Sequence, residues 1–152
     1  MMSGRVTHAL VRGLEWLAAR FPQFSATAEL PAHQLTGRRG EEDAYFYLRR
    51  LGYLMVARNY RSPRRKGEID LIGWDGDVLC FVEVKTRTSH DVKPAEAAVD
   101  GAKQRELGVM AREYLQRLRY TPTWRFDVLS VYYEEKSALP EFELFKNAFG
   151  LS

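Results

Sequence analysis

Three acids and a lysine fall on two strand-like segments joined by a turn. Glu68–Trp74 and Asp77–Thr88 both read as strands, rich in Ile, Leu, Val and Phe. Asp75-Gly76 between them is a two-residue hairpin signal. With Trp74 opposite Asp77, Glu68 faces Glu83 and Asp70 faces Phe81. Opposed residues share a sheet face, and alternation keeps i±2 on that face. Glu68, Asp70, Glu83 and Lys85 therefore project to one side, and Ile69, Leu71, Val82 and Val84 to the other. Asp70 and Glu83 become diagonal neighbours, roughly 7–8 Å apart between backbones, so their carboxylates can meet at one ion. Charges on the otherwise apolar strand Val78–Lys85 are costly unless they are paired or bind metal. The pattern alone leaves two readings open: a catalytic, metal-binding face, or an exposed sheet face laced by Glu83–Lys85 pairing.

A fourth acid precedes the hairpin. Gly37–Leu51 reads as a helix in which Glu41, Ala44, Tyr45, Leu48 and Gly52 share one face. Glu41 thus opens the apolar stripe, although acids also favour a first helical turn for the dipole alone. Gly52 is positioned to stop this helix, and Tyr53–Arg61 follows as a strand broken by Ser62-Pro63. Arg58, Arg61, Arg64, Arg65 and Lys66 then form a basic run without an acid, either a solvated loop or a contact surface leading into the hairpin.

The remaining elements must frame these residues. Pro94–Leu118 reads as a helix with a break near Gly101. Its apolar face is Val99, Ala102, Leu107, Met110, Tyr114 and Leu118, where Met110 and Tyr114 are core residues. Trp124–Tyr133 is a strand, with Asp127 opposite in direction to Phe126 and read as structural, pairing with an arginine. Phe142–Phe149 closes the domain as a short strand or helix. The order helix, three strands, helix, strand predicts an α/β fold: a mixed sheet with a central β-hairpin flanked by helices. Ahead of it, Val6, Leu10, Leu14, Leu17 and Phe21 repeat at helical spacing. Pro22, Ser25, Thr27, Pro31 and Thr36 read as a linker. Residues 1–36 are therefore expected to be a helical extension and linker, and 37–152 the main domain.

Composition narrows the chemistry. The chain has 152 residues, 28% of them charged and 45% hydrophobic, as in ordinary globular domains. One cysteine, Cys80, excludes an intrachain disulfide and any zinc site needing two thiolates. It fits a reducing, cytoplasmic setting. The three histidines are far apart. No apolar run approaches the ~20 residues of a membrane span. A net charge of +3 permits a nucleic-acid partner without demanding one.

Taken together, Gly37-x-x-Gly40-Glu41, Gly67-Glu68-Ile69-Asp70-Leu71-Ile72, Phe81-Val82-Glu83-Val84-Lys85-Thr86-Arg87, Lys103-Gln104 and Arg125-Phe126-Asp127-Val128 occur in an order that resembles the small bacterial YraN-like family. That family is described as endonuclease-like and similar to archaeal Holliday-junction resolvases. The resemblance spans about residues 37–149. It implies a restriction-endonuclease-like core with the D…E-x-K signature. Asp70 and Glu83 would be metal-binding acids, Lys85 the signature lysine, and Glu41 a helix acid added to the site. Lys103-Gln104 matches more loosely, because Gly108 stands where related nucleases carry tyrosine.

The chemistry implied is hydrolysis of DNA phosphodiesters. Hard oxygen ligands without thiolate or imidazole suit Mg²⁺ or Mn²⁺, with the Val84 carbonyl as a further ligand and Glu68 as the fallback. Lys85 would position water or stabilise charge on the phosphate. Arg38, Arg39, Arg61, Arg64, Arg65, Lys66, Arg87, Lys103 and Gln104 would bind nucleic acid, through phosphate contacts that recognise structure, such as a junction or flap, more than sequence. A homodimer is expected if two paired incisions are made. Two other readings stand beside this one: a non-catalytic nucleic-acid-binding module that keeps the nuclease fold, and a scaffold that docks a partner through its helices.

Overall fold

The computed structural model describes residues 32–88 and 99–150. The chain divides into two units between Gln34 and Leu35, and the sheet and the candidate site belong to the second. The expected N-terminal helix and Pro94 lie outside the described residues. The element order is α1 (Ala32–Arg50), β1 (Leu54–Tyr60), β2 (Ile69–Asp75), β3 (Val78–Arg87), α2 (Gly101–Leu115), β4 (Thr123–Tyr132) and β5 (Glu141–Phe149). The five strands form one sheet in the order β1-β2-β3-β4-β5. Every neighbouring pair is antiparallel except β3–β4, which is parallel and connected through α2. This is the mixed α/β sheet with a central hairpin that the sequence predicts, and it is consistent with a restriction-endonuclease-like core.

Burial follows from that order. The edge strands β1 and β5 have no buried position along their length, Tyr53 just before β1 aside, whereas β2 and β4 are buried along most of their length and β3 along its first half. Ile72, Leu79, Phe81, Phe126 and Val128 pack with Leu107, Met110, Ala111 and Leu115 of α2. Leu71, Cys80, Val82, Leu129 and Val131 pack with Ala44 and Leu48 of α1. One helix therefore covers each face. Met110 is fully buried and Tyr114 sits edge-on to Phe81, so both are core residues.

Helix ends show the expected local chemistry, with shifted bounds. α1 begins at Ala32, so the expected linker over 22–36 and the expected start at Gly37 are corrected by five residues. Its stop is as read: Gly52 has φ +95°. Gly52 N–H donates to the Arg49 carbonyl and Tyr53 N–H to that of Leu48, both at 3.0 Å, which is the glycine-terminated Schellman arrangement. Gly52 itself is exposed and not part of the core stripe. α2 starts only at Gly101, because the Asp100 side chain accepts the Lys103 N–H and caps it. Residues 116–118 form turns rather than helix, and Ala102 is exposed.

The hairpin register differs from expectation by one step at the turn. Asp75 pairs with Val78, and Gly76-Asp77 is the loop. Gly76, at φ +63°, takes the first loop position, as a two-residue turn with leading glycine requires. Asp75 is retained in the strand because its carboxylate accepts from Arg125 Nη2 at 2.7 Å and Lys146 Nζ at 2.8 Å. The displacement moves each partner by two residues, so side-chain faces are conserved while contacts change. Asp127, fully buried, accepts from Arg125 Nε at 2.8 Å and from Asn147 N–H at 2.9 Å, confirming its structural role. One face assignment fails. Ile69 packs with the α2-side core and not with Leu71, since alternation is broken at this end of the hairpin.

Candidate metal centre

The β2–β3 pairing runs from Asp75↔Val78 to Leu71↔Val82. Immediately beyond it, Asp70 Oδ2 accepts the Val84 N–H at 2.7 Å. A side chain thus takes a ladder donor at the hairpin end remote from the turn, and Asp70 is held there at 8% exposure. Glu41 from α1, Glu68 just before β2, and Asp70 converge, each offering an oxygen within 4.8 Å of the other two. In an octahedron with metal–oxygen distances of about 2.1 Å, ligand oxygens stand about 3 to 4.2 Å apart. Small side-chain movements would bring three such oxygens onto one hard cation.

Glu83 lies next to this cluster but is engaged differently. It is 6% exposed, and Oε1 accepts from Lys85 Nζ at 2.9 Å. Oε2 is buried without a hydrogen-bond partner; Lys103 Nζ of α2 stands 3.9 Å from it. The unsatisfied oxygen is costly unless a cation or water completes it. Asp70 feels this crowding. Burial first, then the charge of Glu83, raise its pKa from 3.8 to about 7; the Val84 N–H pulls it down, Glu41 raises it further and Lys103 lowers it. A bound cation would favour the charged form of a carboxyl that burial and neighbouring acids destabilise.

The expected site residues therefore separate into groups. Asp70 and Glu41 come together as read. Glu68, expected only as a fallback, is a full member of the cluster. Glu83 and Lys85 form an adjoining ion pair. Val84 contributes its N–H to Asp70 as the visible contact.

Among the expected nucleic-acid contacts, Arg38, Arg64, Arg65 and Lys66 are exposed. Arg39 lies 3.7 Å from Asp43 and over the Tyr133 ring. Arg61, also exposed, pairs with the cluster, its Nη2 2.9 Å from Glu68 Oε2. Arg87 is half-buried with Nε unpartnered. Gln104 spends its amide on the Val99 carbonyl at 2.9 Å, fastening the start of α2.

One residue near the acids was not foreseen. Asn59 Nδ2 donates to Glu41 Oε2 at 2.8 Å. Its only mark in the sequence is an asparagine, a residue tolerant of left-handed backbone, inside a strand pattern.

Comparison with known proteins places these residues in a family. A model described as uncharacterised protein family UPF0102 matches residues 40–131. The chain belongs to the UPF0102 family. It is 52% identical over 122 residues to a UPF0102 protein of Koribacter versatilis, covering 80% of this chain and 84% of that one. It is 47% identical over 116 residues to one of Solibacter usitatus, covering 74% and 84%. With a UPF0102 protein of Pelotomaculum thermopropionicum the identity is 40% over 119 residues, 78% of this chain and 98% of that one. The UPF0102 match takes in Glu41, Asn59, Glu68, Asp70, Glu83 and Lys85, and leaves Arg38 and Arg39 outside it. Among the described residues, no helix of this UPF0102 chain is long and apolar enough to cross a membrane.

Proposed function

We propose that this protein is a metal-dependent endonuclease that hydrolyses phosphodiesters in DNA, with Mg²⁺ or Mn²⁺ as cofactor. The observation that carries the reading is the convergence of Glu41, Glu68 and Asp70 beside the buried Glu83 and its partner Lys85. The donor set is all carboxylate oxygen, which suits a hard divalent cation, and beside it the buried Glu83 Oε2 has no hydrogen-bond partner.

Asp70, Glu41 and Glu68 would hold the ion, with Glu83 as the neighbouring acid. When bound, the ion supplies Lewis acidity toward the phosphate and lowers the pKa of an attacking water. Asp70 keeps Oδ2 on the Val84 N–H, which restrains its carboxyl group. Glu83 anchors the Lys85 ammonium at 2.9 Å, where it stabilises negative charge developing on the phosphate. Lys103 adds a second cation on the far side of Glu83. Arg64, Arg65 and Lys66, exposed and in a run that itself contains no acid, would track the backbone of the substrate, with Arg38, Arg39 and Arg87 extending that path. No base-reading element accompanies them, so selection by DNA structure fits better than selection by sequence. Paired incision of a junction would need two such sites and hence a symmetric pair of chains. The buried thiol of Cys80 suits a reducing cytoplasm.

The test is cleavage of four-way junctions, flaps and duplex DNA with Mg²⁺, Mn²⁺ or EDTA, using Asp70→Asn prepared in parallel to expose contaminating nuclease. Metal-dependent cleavage that disappears in Asp70→Asn supports the reading. DNA binding with no cleavage under any condition would instead favour a non-catalytic binding module on the same fold.

A further inference from the structure

The end of β1 carries a backbone irregularity that points at the site. Asn59 has φ +47°, a conformation that costs non-glycine residues energy and that asparagine tolerates better than most. Its effect is visible in its neighbours. Arg58 places its guanidinium over the Tyr45 ring of α1, 4.6 Å from the centroid. Asn59, the next residue, also reaches α1, donating to Glu41 at 2.8 Å. Successive strand residues point to opposite faces, so a regular strand cannot send both toward one helix. Tyr60 then turns to the other side, edge-on to Tyr114 of α2. The left-handed residue at position 59 is what allows the amide to reach the carboxylate.

We infer that Asn59 is a positioning residue: its amide holds one oxygen of Glu41 and leaves the other presented to the cation shared with Glu68 and Asp70. This rests on the metal-site reading above and extends it to a residue that touches neither metal nor substrate. Outer partners of this kind orient ligands and typically change metal affinity by 10–100-fold when lost.

Asn59→Gly removes the amide while keeping a residue at ease with positive φ, so the fold is retained. The probe is Mn²⁺ alone, its binding to the full chain followed by electron paramagnetic resonance in wild type, Asn59→Gly, Glu41→Gln, the double variant and Asp70→Asn. The expected result is about tenfold weaker binding in Asn59→Gly, with no further loss when Asn59→Gly is added to Glu41→Gln. Unchanged affinity in Asn59→Gly, or an equal loss in the Glu41→Gln background, overturns the role of Asn59 while the metal site stands. Wild-type binding that is absent, or indifferent to Asp70→Asn, removes the metal site itself and Asn59's role with it.

Discussion

Replacing Asp70 by asparagine in metal-free protein should make the protein more stable, not less. Asp70 is 8% exposed, crowded by Glu83 and Glu41, and its carboxyl is raised from 3.8 to about 7. Such a group is protonated in the native state at a pH where the unfolded chain has already released its proton. The native state therefore binds more protons between those values, and stability falls as pH rises from about 4 through about 7. At 1.36 kcal/mol per pH unit the full displacement corresponds to about 4 kcal/mol, the upper limit of what the substitution can recover. Asparagine keeps the shape and an acceptor for Val84 N–H, and it carries no charge to desolvate. In EDTA at pH 8, Asp70→Asn should melt higher by up to about 8–16 °C, taking 2–4 °C per kcal/mol for a chain of this size. At pH 4 the two proteins should melt nearly together. Mg²⁺ at pH 8 should raise the melting point of wild type and leave Asp70→Asn unmoved. Calorimetry over that pH range decides it. A lower melting point for Asp70→Asn at pH 8 would mean that a cation of the protein already satisfies Asp70, and the electrostatic argument for the metal centre would be lost.

Arg64→Ala with Arg65→Ala should weaken DNA binding across sequences and flatten its salt dependence by about 0.9 in log–log slope per lost phosphate contact; an unchanged slope in fluorescence titrations places both arginines away from DNA. Gly40→Ala sets a Cβ 2.0 Å from Thr86 Oγ1, forcing α1 off β3 at a cost of about 1–3 kcal/mol. Adding Thr86→Ala should recover part of that loss in urea melts, and no recovery would argue against this contact as the cause. Arg125→Met leaves Asp127 buried without its guanidinium and should cost about 3–5 kcal/mol, while Mn²⁺ affinity at the opposite end of the hairpin stays within about twofold.

Much of this fold was legible because its signals are local. Gly52 announces the helix stop, Asp75-Gly76 announces the hairpin, and alternation places Leu71 with Val82 whichever of the two even-spaced registers holds. The register itself was not legible. It depends on Asp75 meeting Arg125 and Lys146, which are 50 and 71 residues away in sequence, and a turn signal carries no such information. The site was legible to the extent that it rests on strand parity: Asp70, Glu83 and Lys85 fell on one side from counting alone. Ile69 and Asn59 escaped because alternation fails where β1 turns left-handed and the β2–β3 ladder ends. A rule of period two cannot report the point at which the chain departs from it.

That ladder end has a spectroscopic consequence. One peptide N–H, that of Val84, donates to Asp70 Oδ2 with nitrogen and oxygen 2.7 Å apart, where a regular strand would offer it a carbonyl. Its chemical shift and exchange rate must follow the electron density on that carboxyl oxygen, which changes whenever Asp70 gains a proton or shares its charge. A single crosspeak in a nitrogen-labelled sample is thus a built-in gauge of the acidic cluster, readable without any added dye.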